Sequence, residues 1–289
     1  MEKMKNIKLY TLSLLFCVNF VVWYAVFAEQ RDFLTVAFLD VGQGDAIFIE
    51  TPDGKQILID GGPNNSVLRQ LTKVMPFYDR SIDMIILTHP DKDHLEGLVS
   101  VLENYEINFV LESGVNSDSN EYAEFEKIVS EKNIKKVLAR QGMNISLCKN
   151  EKNCQNYFEI LFPVGDVSEF ETNTASVVLK LVYGKNSFLF TGDSPQAIEK
   201  YLAESFGKEL DIDVLKLGHH GSKTSTSDIF LGFTNPEYVV ASVGKNNSYG
   251  HPHKEILDLL KQFEIDLLRT DNIGTIIFES DGQSLKIRN

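Results

Sequence analysis

The chain has 289 residues, 43% of them hydrophobic and 24% charged, with 28 basic against 41 acidic side chains and a net charge of −13. That length and apolar content supply one large core and exclude a disordered or fibrous chain. The acidic balance excludes a surface that holds nucleic acid by basic charge alone, since such binding needs protein cations to displace counterions from phosphate. It does not exclude a site where bound divalent cations offset acidic ligands and meet phosphate themselves.

From Leu9 to Ala28, twenty residues run without a formal charge, and a helix rising ~1.5 Å per residue over that length crosses a ~30 Å hydrocarbon core. Lys3, Lys5 and Lys8 precede it. This predicts a membrane span over residues 9–28 with a cytoplasmic N-terminus, an extracytoplasmic remainder, and Trp23 and Tyr24 near the outer interface. A cleaved signal peptide is the competing reading, with Val26 and Ala28 suited to cleavage before Glu29. Its apolar region normally runs only ~7–15 residues, so the length favours the anchor. The basic flank disfavours a buried core helix. Residues 1–30 are therefore set apart, and 31–289 read as one domain, because no linker, long charge block or low-complexity tract divides them.

In chain order, apolar runs predict strands over Phe33 to Asp40, Asp45 to Glu50, Gln56 to Asp60, Ile82 to Thr88, Ile107 to Leu111 and Lys136 to Ala139, then a hairpin around Cys148 and Cys154. Further strands are predicted over Ala175 to Tyr183, Ser187 to Thr191, Asp213 to Leu217, Tyr238 to Ser242, Leu267 to Thr270, Thr275 to Phe278 and Leu285 to Ile287. Helical spacing marks Asn65 to Met75, His94 to Asn104, Asn120 to Glu131, Pro195 to Phe206 and Lys254 to Phe263. Antiparallel hairpins mixed with crossover helices predict an α/β protein of two sheets with helices outside. A weak echo, Ile82-Asp83 leading to His89 and Ile212-Asp213 leading to His219, suggests two similar halves presenting histidines to one edge.

Cys148 and Cys154 flank Lys149 to Asn153 as the ends of a hairpin tip would. A disulfide there suits an oxidising compartment, while two unpaired surface thiols fit the spacing equally well. A zinc site is excluded because no second ligand pair lies nearby.

All six histidines fall in three groups just after predicted strands: His89 with His94, His219 with His220, and His251 with His253. In His89-Pro90-Asp91-Lys92-Asp93-His94, a tight turn can fold two imidazoles and two carboxylates toward one metal. A helix cap needs only one of the acids and neither histidine. Asp193 ends a strand before Ser194-Pro195; alone it reads as a helix cap, and beside a metal it becomes a candidate bridging carboxylate. Adjacent His219 and His220 are not expected to aim both rings into one site, so one ligand and one hydrogen-bonding partner are predicted. The hydroxyl-rich run Ser222 to Ser227, with Lys223, reads either as a solvated turn and helix cap or as donors to a phosphate. One of His251 and His253 is expected to face substrate as a donor or proton carrier, with a structural turn histidine an equally open reading for the other. Val41-Gly42-Gln43-Gly44-Asp45-Ala46 imitates a dinucleotide fingerprint, but isoleucine stands at 47 and a strand follows where that motif needs a helix. The nucleophile-elbow and phosphate-loop patterns are absent.

Together these residues resemble the metallo-β-lactamase-fold hydrolases, specifically the extracellular hydrolase domain of ComEC competence proteins. The likeness is carried by Phe38 to Asp45, Leu58 to Gly62, the His89 to His94 motif, Thr191-Gly192-Asp193, His219-His220-Gly221-Ser222 and Gly250-His251-Pro252-His253, in order over about Leu34 to Asn289. It implies an αββα sandwich with two divalent metal ions, Zn or Mn, at the sheets' edges. His89 and Asp91 would hold one ion, Asp93 and His94 the other; Asp193 would bridge, His219 or His220 would complete the second site, and Asp60 would support the loop. The wider fold usually has histidine where Asp91 stands and a further histidine before Asp193, where this chain offers only Asn173, Thr174 and Ser176. An oxygen-rich first site favours Mn²⁺ without deciding the matter. The implied reaction is in-line hydrolysis of a phosphodiester, nucleic acid outside the cytoplasm, with Asp93 orienting water and His251 and Lys223 contacting substrate oxygens. A same-fold hydrolase of an ester, lactone or lactam, and a non-catalytic anchored binding module, are the alternatives.

Overall fold

The structure, a computed structural model, describes residues 2–28, 33–148, 154 and 156–288. The expected hairpin tip at 149–153 and the cleavage junction at Glu29 lie outside them. Helix α1 (Glu2–Ala28) contains the apolar span Asn6–Tyr24, with mean hydropathy 1.6 and none of it buried, which is long and apolar enough to cross a membrane.

Two mixed sheets follow, as expected. The first runs β15 (Leu285–Arg288), β14 (Ile276–Ser280), β1 (Leu34–Phe38), β2 (Ile47–Glu50), β3 (Gln56–Ile59), β4 (Ser81–Leu87), β5 (Glu106–Glu112), β6 (Lys135–Leu138). The second runs β13 (Asp266–Arg269), β12 (Tyr238–Ala241), β11 (Val214–Lys216), β10 (Asn186–Phe190), β9 (Val178–Tyr183), β8 (Asn156–Phe162), β7 (Asn144–Ser146). Side chains alternate across each strand, so a run apolar at every position is buried on both faces. In β4, Met84 and Ile86 enter the core between the sheets, where they join Phe38, Phe188 and Phe190, while Ile85 and Leu87 face the helices outside. Helices α2 (Ser66–Val74), α3 (Lys92–Asn104) and α4 (Asn120–Glu131) bury their apolar stripes on the first sheet. Helices α5 (Gln196–Phe206), α6 (Asp228–Thr234) and α7 (Lys254–Gln262) do so on the second.

The sequence echo has a structural counterpart. Asp83 accepts a 2.8 Å hydrogen bond from the Gln56 amide, and Asp213 accepts a 2.7 Å one from the Ser187 amide. In each sheet the aspartate entering one strand thus fixes the start of its parallel neighbour. The strands so aligned deliver their following loops to one rim, where the Val177 amide bonds the Thr88 carbonyl across the sheets at 2.9 Å. Leu34, where β1 begins, pairs with Ser280 at the opposite end of the sheet.

Several local expectations need correction. Helix α3 starts at Lys92 rather than His94, which puts Asp93 and His94 in its first turn. The strand expected from Ala175 begins at Val178, after a single 3₁₀ turn over Asn173–Ala175. Helix α6 and the one-turn α8 (Thr270–Ile273) were not anticipated, because stretches this short carry too little periodicity. Cys148 and Cys154 form a disulfide, which resolves the open alternative against free thiols.

Candidate metal centre

Asp60, just past β3 in the left-handed region (φ 56°), is the first organiser of the rim. Its carboxylate accepts from the Thr88 amide at 2.8 Å, the Thr88 hydroxyl at 2.7 Å and His94 Nδ1 at 2.8 Å. This ties the end of β4 to the first turn of α3 and turns His94 Nε2 outward into the cluster. It is the carboxylate–histidine arrangement that orients metal-ligating imidazoles. Gly44 (φ +136°) lies against the same turn, and a Cβ there would meet the Asp93 carbonyl at 2.2 Å, so only glycine lets this loop approach.

The second sheet delivers Asp193 beyond β10 and His219 and His220 beyond β11. The Asp193 amide donates to Ser176 Oγ at 3.2 Å, and the His219 amide to the Gly192 carbonyl at 3.1 Å. His219 (φ 46°, ψ 46°) and His220 (φ 55°, ψ 20°) are consecutive left-handed residues. That backbone brings both rings of the adjacent pair toward Asp193, although only His220 joins the buried ligand groups. Both Nε2 atoms stand 3.6 Å from the Asp193 carboxylate.

The groups converge around Asp193. Its Oδ1 lies 3.3 Å from His94 Nε2 and 3.6 Å from His220 Nε2, and its Oδ2 lies 3.9 Å from His89 Nε2 and 3.6 Å from His219 Nε2. Asp93 Oδ2 is 3.4 Å from His220 Nε2, and Asp91 Oδ2 is 3.8 Å from His89 Nε2. Yet His89 Nε2, His94 Nε2, His220 Nε2 and Asp193 Oδ1 are buried with no hydrogen-bond partner. Orphaned buried polar atoms are costly and rare, and four aimed at one space mark a missing counter-group. Ligand atoms within 4.8 Å of one another come from His89, His94 and Asp193, and from Asp93, His94 and His220, with Asp45 joining Asp193 and His220 in another set. Imidazole nitrogens mixed with carboxylate oxygens fit divalent transition ions.

The electrostatics agree. Although burial works against its charged form, Asp193 is held well below the usual carboxylate range by His220 and His94. Burial likewise opposes the shift at Asp93, where His220 and His94 bring the carboxyl down to about 2. His94 is raised well above the usual histidine range by Asp193 and Asp60, against its burial, and His220 is raised to about 9 by Asp193 and Asp45. Burial and the neighbouring His94 push His89 down to about 4. Protons on His94 and His220 and divalent ions are thus alternative counter-charges for the same acids.

Behind His220 lies a pair the sequence reasoning missed as a site element. Lys216, fully buried, places Nζ 2.7 Å from Asp45 Oδ2, and Asp45 Oδ1 is 3.4 Å from His220 Nδ1. The same Nδ1 donates to the Ser242 carbonyl at 2.9 Å. In the sequence Asp45 stands at a strand start inside a pattern that imitates a dinucleotide motif, and Lys216 sits in an apolar run with nothing to mark it. Before β9, Thr172 hydrogen-bonds Asp91, and Asn173 Oδ1 is buried without a partner.

The remaining expected residues form the wall and rim. His251 is buried, with its ring 5.7 Å from that of His219 and 6.5 Å from that of His220, and burial with the nearby His220 and His253 pushes it down to about 4. Lys223 is exposed at the rim and outside the cluster, its amide donating to His253 Nδ1 at 3.0 Å. The run 222–227 is not solvated as a whole: Ser222, Ser225 and Thr226 are buried, and the Glu199 carboxylate accepts from the Thr226 and Ser227 amides. Ser227 does cap α6, accepting from the Phe230 amide at 3.3 Å.

Residues 55–220 match the beta-lactamase superfamily domain. The chain is 31% identical over 262 residues to ComE operon protein 3 of Bacillus subtilis (strain 168), an alignment covering 83% of this chain and 32% of that protein. It is 30% identical over 261 residues to competence protein ComA of Neisseria gonorrhoeae, covering 89% and 34%. The chain therefore spans about a third of the length of these curated relatives. Among solved structures, the metallo-beta-lactamase fold protein YhfI from Bacillus subtilis superposes with a TM-score of 0.58 at 12% identity, covering 86% of this chain and 100% of that one, so the two share the fold.

Proposed function

The chain belongs to the beta-lactamase superfamily, and from that premise we propose that it is a metal-dependent phosphodiesterase acting on DNA outside the cytoplasm. The observation that carries this is the division of Asp193, whose two carboxylate oxygens each face two histidines while three of those imidazoles have orphaned, buried Nε2 atoms. In this reading His89, Asp91 and Asp193 would hold one ion and Asp93, His94, His220 and Asp193 the other, with His219 beside Asp193 Oδ2 on the first side. Two divalent ions supply Lewis acidity and a water of lowered pKa. Asp60 and the Ser242 carbonyl hold the His94 and His220 rings in line.

Asp93 and Asp91, with side chains 33% and 39% exposed, are the acids of the ring that reach the opening, and Asp93, beside His220, would orient the attacking water. His251 stays neutral near pH 7 and offers an N–H to a substrate oxygen. The Lys223 ammonium meets the chain of phosphates further out. The choice of DNA rests on the competence relatives, and the extracytoplasmic location on the N-terminal apolar helix together with the disulfide.

The test is turnover by the purified protein, with Mn²⁺ or Zn²⁺, of single- and double-stranded DNA, bis-p-nitrophenyl phosphate and a chromogenic lactam. Phosphodiester turnover lost in Asp93→Ala is the expected result. Turnover of the lactam alone would reject the proposal, and a metal-loaded protein inert on every substrate would leave a binding module.

A further inference from the structure

We propose that Tyr249 is a stacking platform for an unpaired nucleobase next to the scissile phosphate, which makes single-stranded nucleic acid or a frayed end the preferred substrate. The proposal rests on the phosphodiesterase reading above and adds a subsite to it. Tyr249 is 64% exposed, a large aromatic ring left open to solvent at the edge of the candidate metal centre. One face is occupied: its ring lies 5.6 Å from that of His251 at an interplanar angle of 24°, a stacked pair. His251 in turn contacts the rings of His219 and His220, so a row of aromatic rings leads from solvent to the ligands.

The platform is held rigid despite its exposure. Asn247 Nδ2 donates to the carbonyls of Gly244 at 3.2 Å and His251 at 2.8 Å, and its Oδ1 accepts from the His251 amide at 2.9 Å, clasping the loop from both sides. Gly244 packs so closely on the loop that follows β1 that a Cβ would meet the Gln43 nitrogen at 2.7 Å. An aromatic ring fixed before binding loses little freedom when a ligand arrives.

Tyr249 also lines a cleft of about 300 Å³ with Gln43, Pro63, Asn64, Lys92 and Asp93. Asp93 joins this cleft to the metal centre, so a base on Tyr249 would lie beside the ligands. The polar walls suit the edge of a base: Gln43 Oε1 accepts from the Gly244 amide at 3.2 Å, which leaves its NH₂ to donate. Lys92, the cleft's ammonium, is already engaged by Glu121 at 3.3 Å and Glu96 at 3.5 Å. In a protein of net charge −13, binding that depends on stacking and bound cations replaces binding to a basic groove. Every base offers a π-face, but only an unpaired, unstacked one can lay it on a side chain.

The experiment compares wild type, Tyr249→Ala and Tyr249→Phe, each Mn²⁺-loaded and checked for native circular dichroism. The substrates are a short single-stranded oligodeoxynucleotide, the same backbone with abasic residues, and bis-p-nitrophenyl phosphate. The expected result is a KM for the base-bearing oligomer raised about 5- to 100-fold in Tyr249→Ala, kept in Tyr249→Phe, and no change for the abasic strand. A 2-aminopurine in the oligomer should be quenched by wild type and Tyr249→Phe but not by Tyr249→Ala. An unchanged KM in Tyr249→Ala, or an abasic strand turned over by wild type as readily as the base-bearing one, overturns the subsite while leaving the phosphodiesterase reading intact. If wild type turns over no phosphodiester at all, that reading falls first and takes the subsite with it.

Discussion

The β4 and β11 halves start alike and end differently. Both strands are entered through Ile-Asp and both are followed by histidine at the same rim. Beyond β4 the chain runs straight into α3, and helical geometry collects Asp93 and His94 beside His89 from one short stretch, with Asp60 as the support. Beyond β11 no α-helix begins until Asp228, and two left-handed residues bring the Nε2 atoms of adjacent rings to the same carboxylate, with a buried Lys216–Asp45 pair behind them. A helical exit obtains its ligands from ordinary backbone and confines the left-handed strain to one supporting acid, Asp60. A loop exit needs conformational strain and a counter-charge drawn from elsewhere in the chain.

The contrast can be broken from its centre outward. Asp193→Ala removes the carboxylate that both halves face, and bound metal measured by elemental analysis should fall at both positions. Turnover should drop by more than the about 10- to 100-fold that outer-shell changes cost. Asp45→Ala acts chiefly on the β11 half, where Asp45 pairs with Lys216 and His220, although its carboxylate also lies 4.0 Å from His94 Nδ1. It strands the Lys216 ammonium in the interior, so chemical denaturation of the metal-free protein should show a loss of about 3–5 kcal/mol. Asp60→Asn acts on the β4 half by misorienting His94, and titration calorimetry should show metal affinity weakened by about 10- to 100-fold. Equal damage from the Asp45 and Asp60 variants in both assays would erase the distinction between the halves. The smallest effect is His219→Gly: relief of the left-handed backbone should stabilise the metal-free protein by about 1 kcal/mol while metal binding weakens.

Much of this arrangement was legible in the sequence where the signal was local. The run 82–88 announced a strand buried on both faces because it lacked polar alternation, and the His89 to His94 motif announced a centre because its acids exceeded what a cap requires. Asp193 became visible only beside that motif, since alone it looks like any helix entry. The approach of both adjacent histidines to Asp193 was not legible, because nothing in Gly218-His219-His220-Gly221 marks φ values of 46° and 55° on non-glycine residues. Asp45 and Lys216 were hidden for a different reason. Their pairing spans the two sheets, and neither neighbourhood records that the other exists.

The start of β1 has a consequence for where the molecule can work. Leu34 lies at the base of the first sheet and the histidines lie at the opposite rim, while the stretch between Ala28 and Phe33 cannot reach farther than about 18 Å even fully drawn out. With α1 seated in a lipid bilayer, the domain would ride on a short leash with its mouth turned to the aqueous side. A polymer lying flat against the lipid would then pass beneath the working face, and a strand arriving from above would meet it head-on.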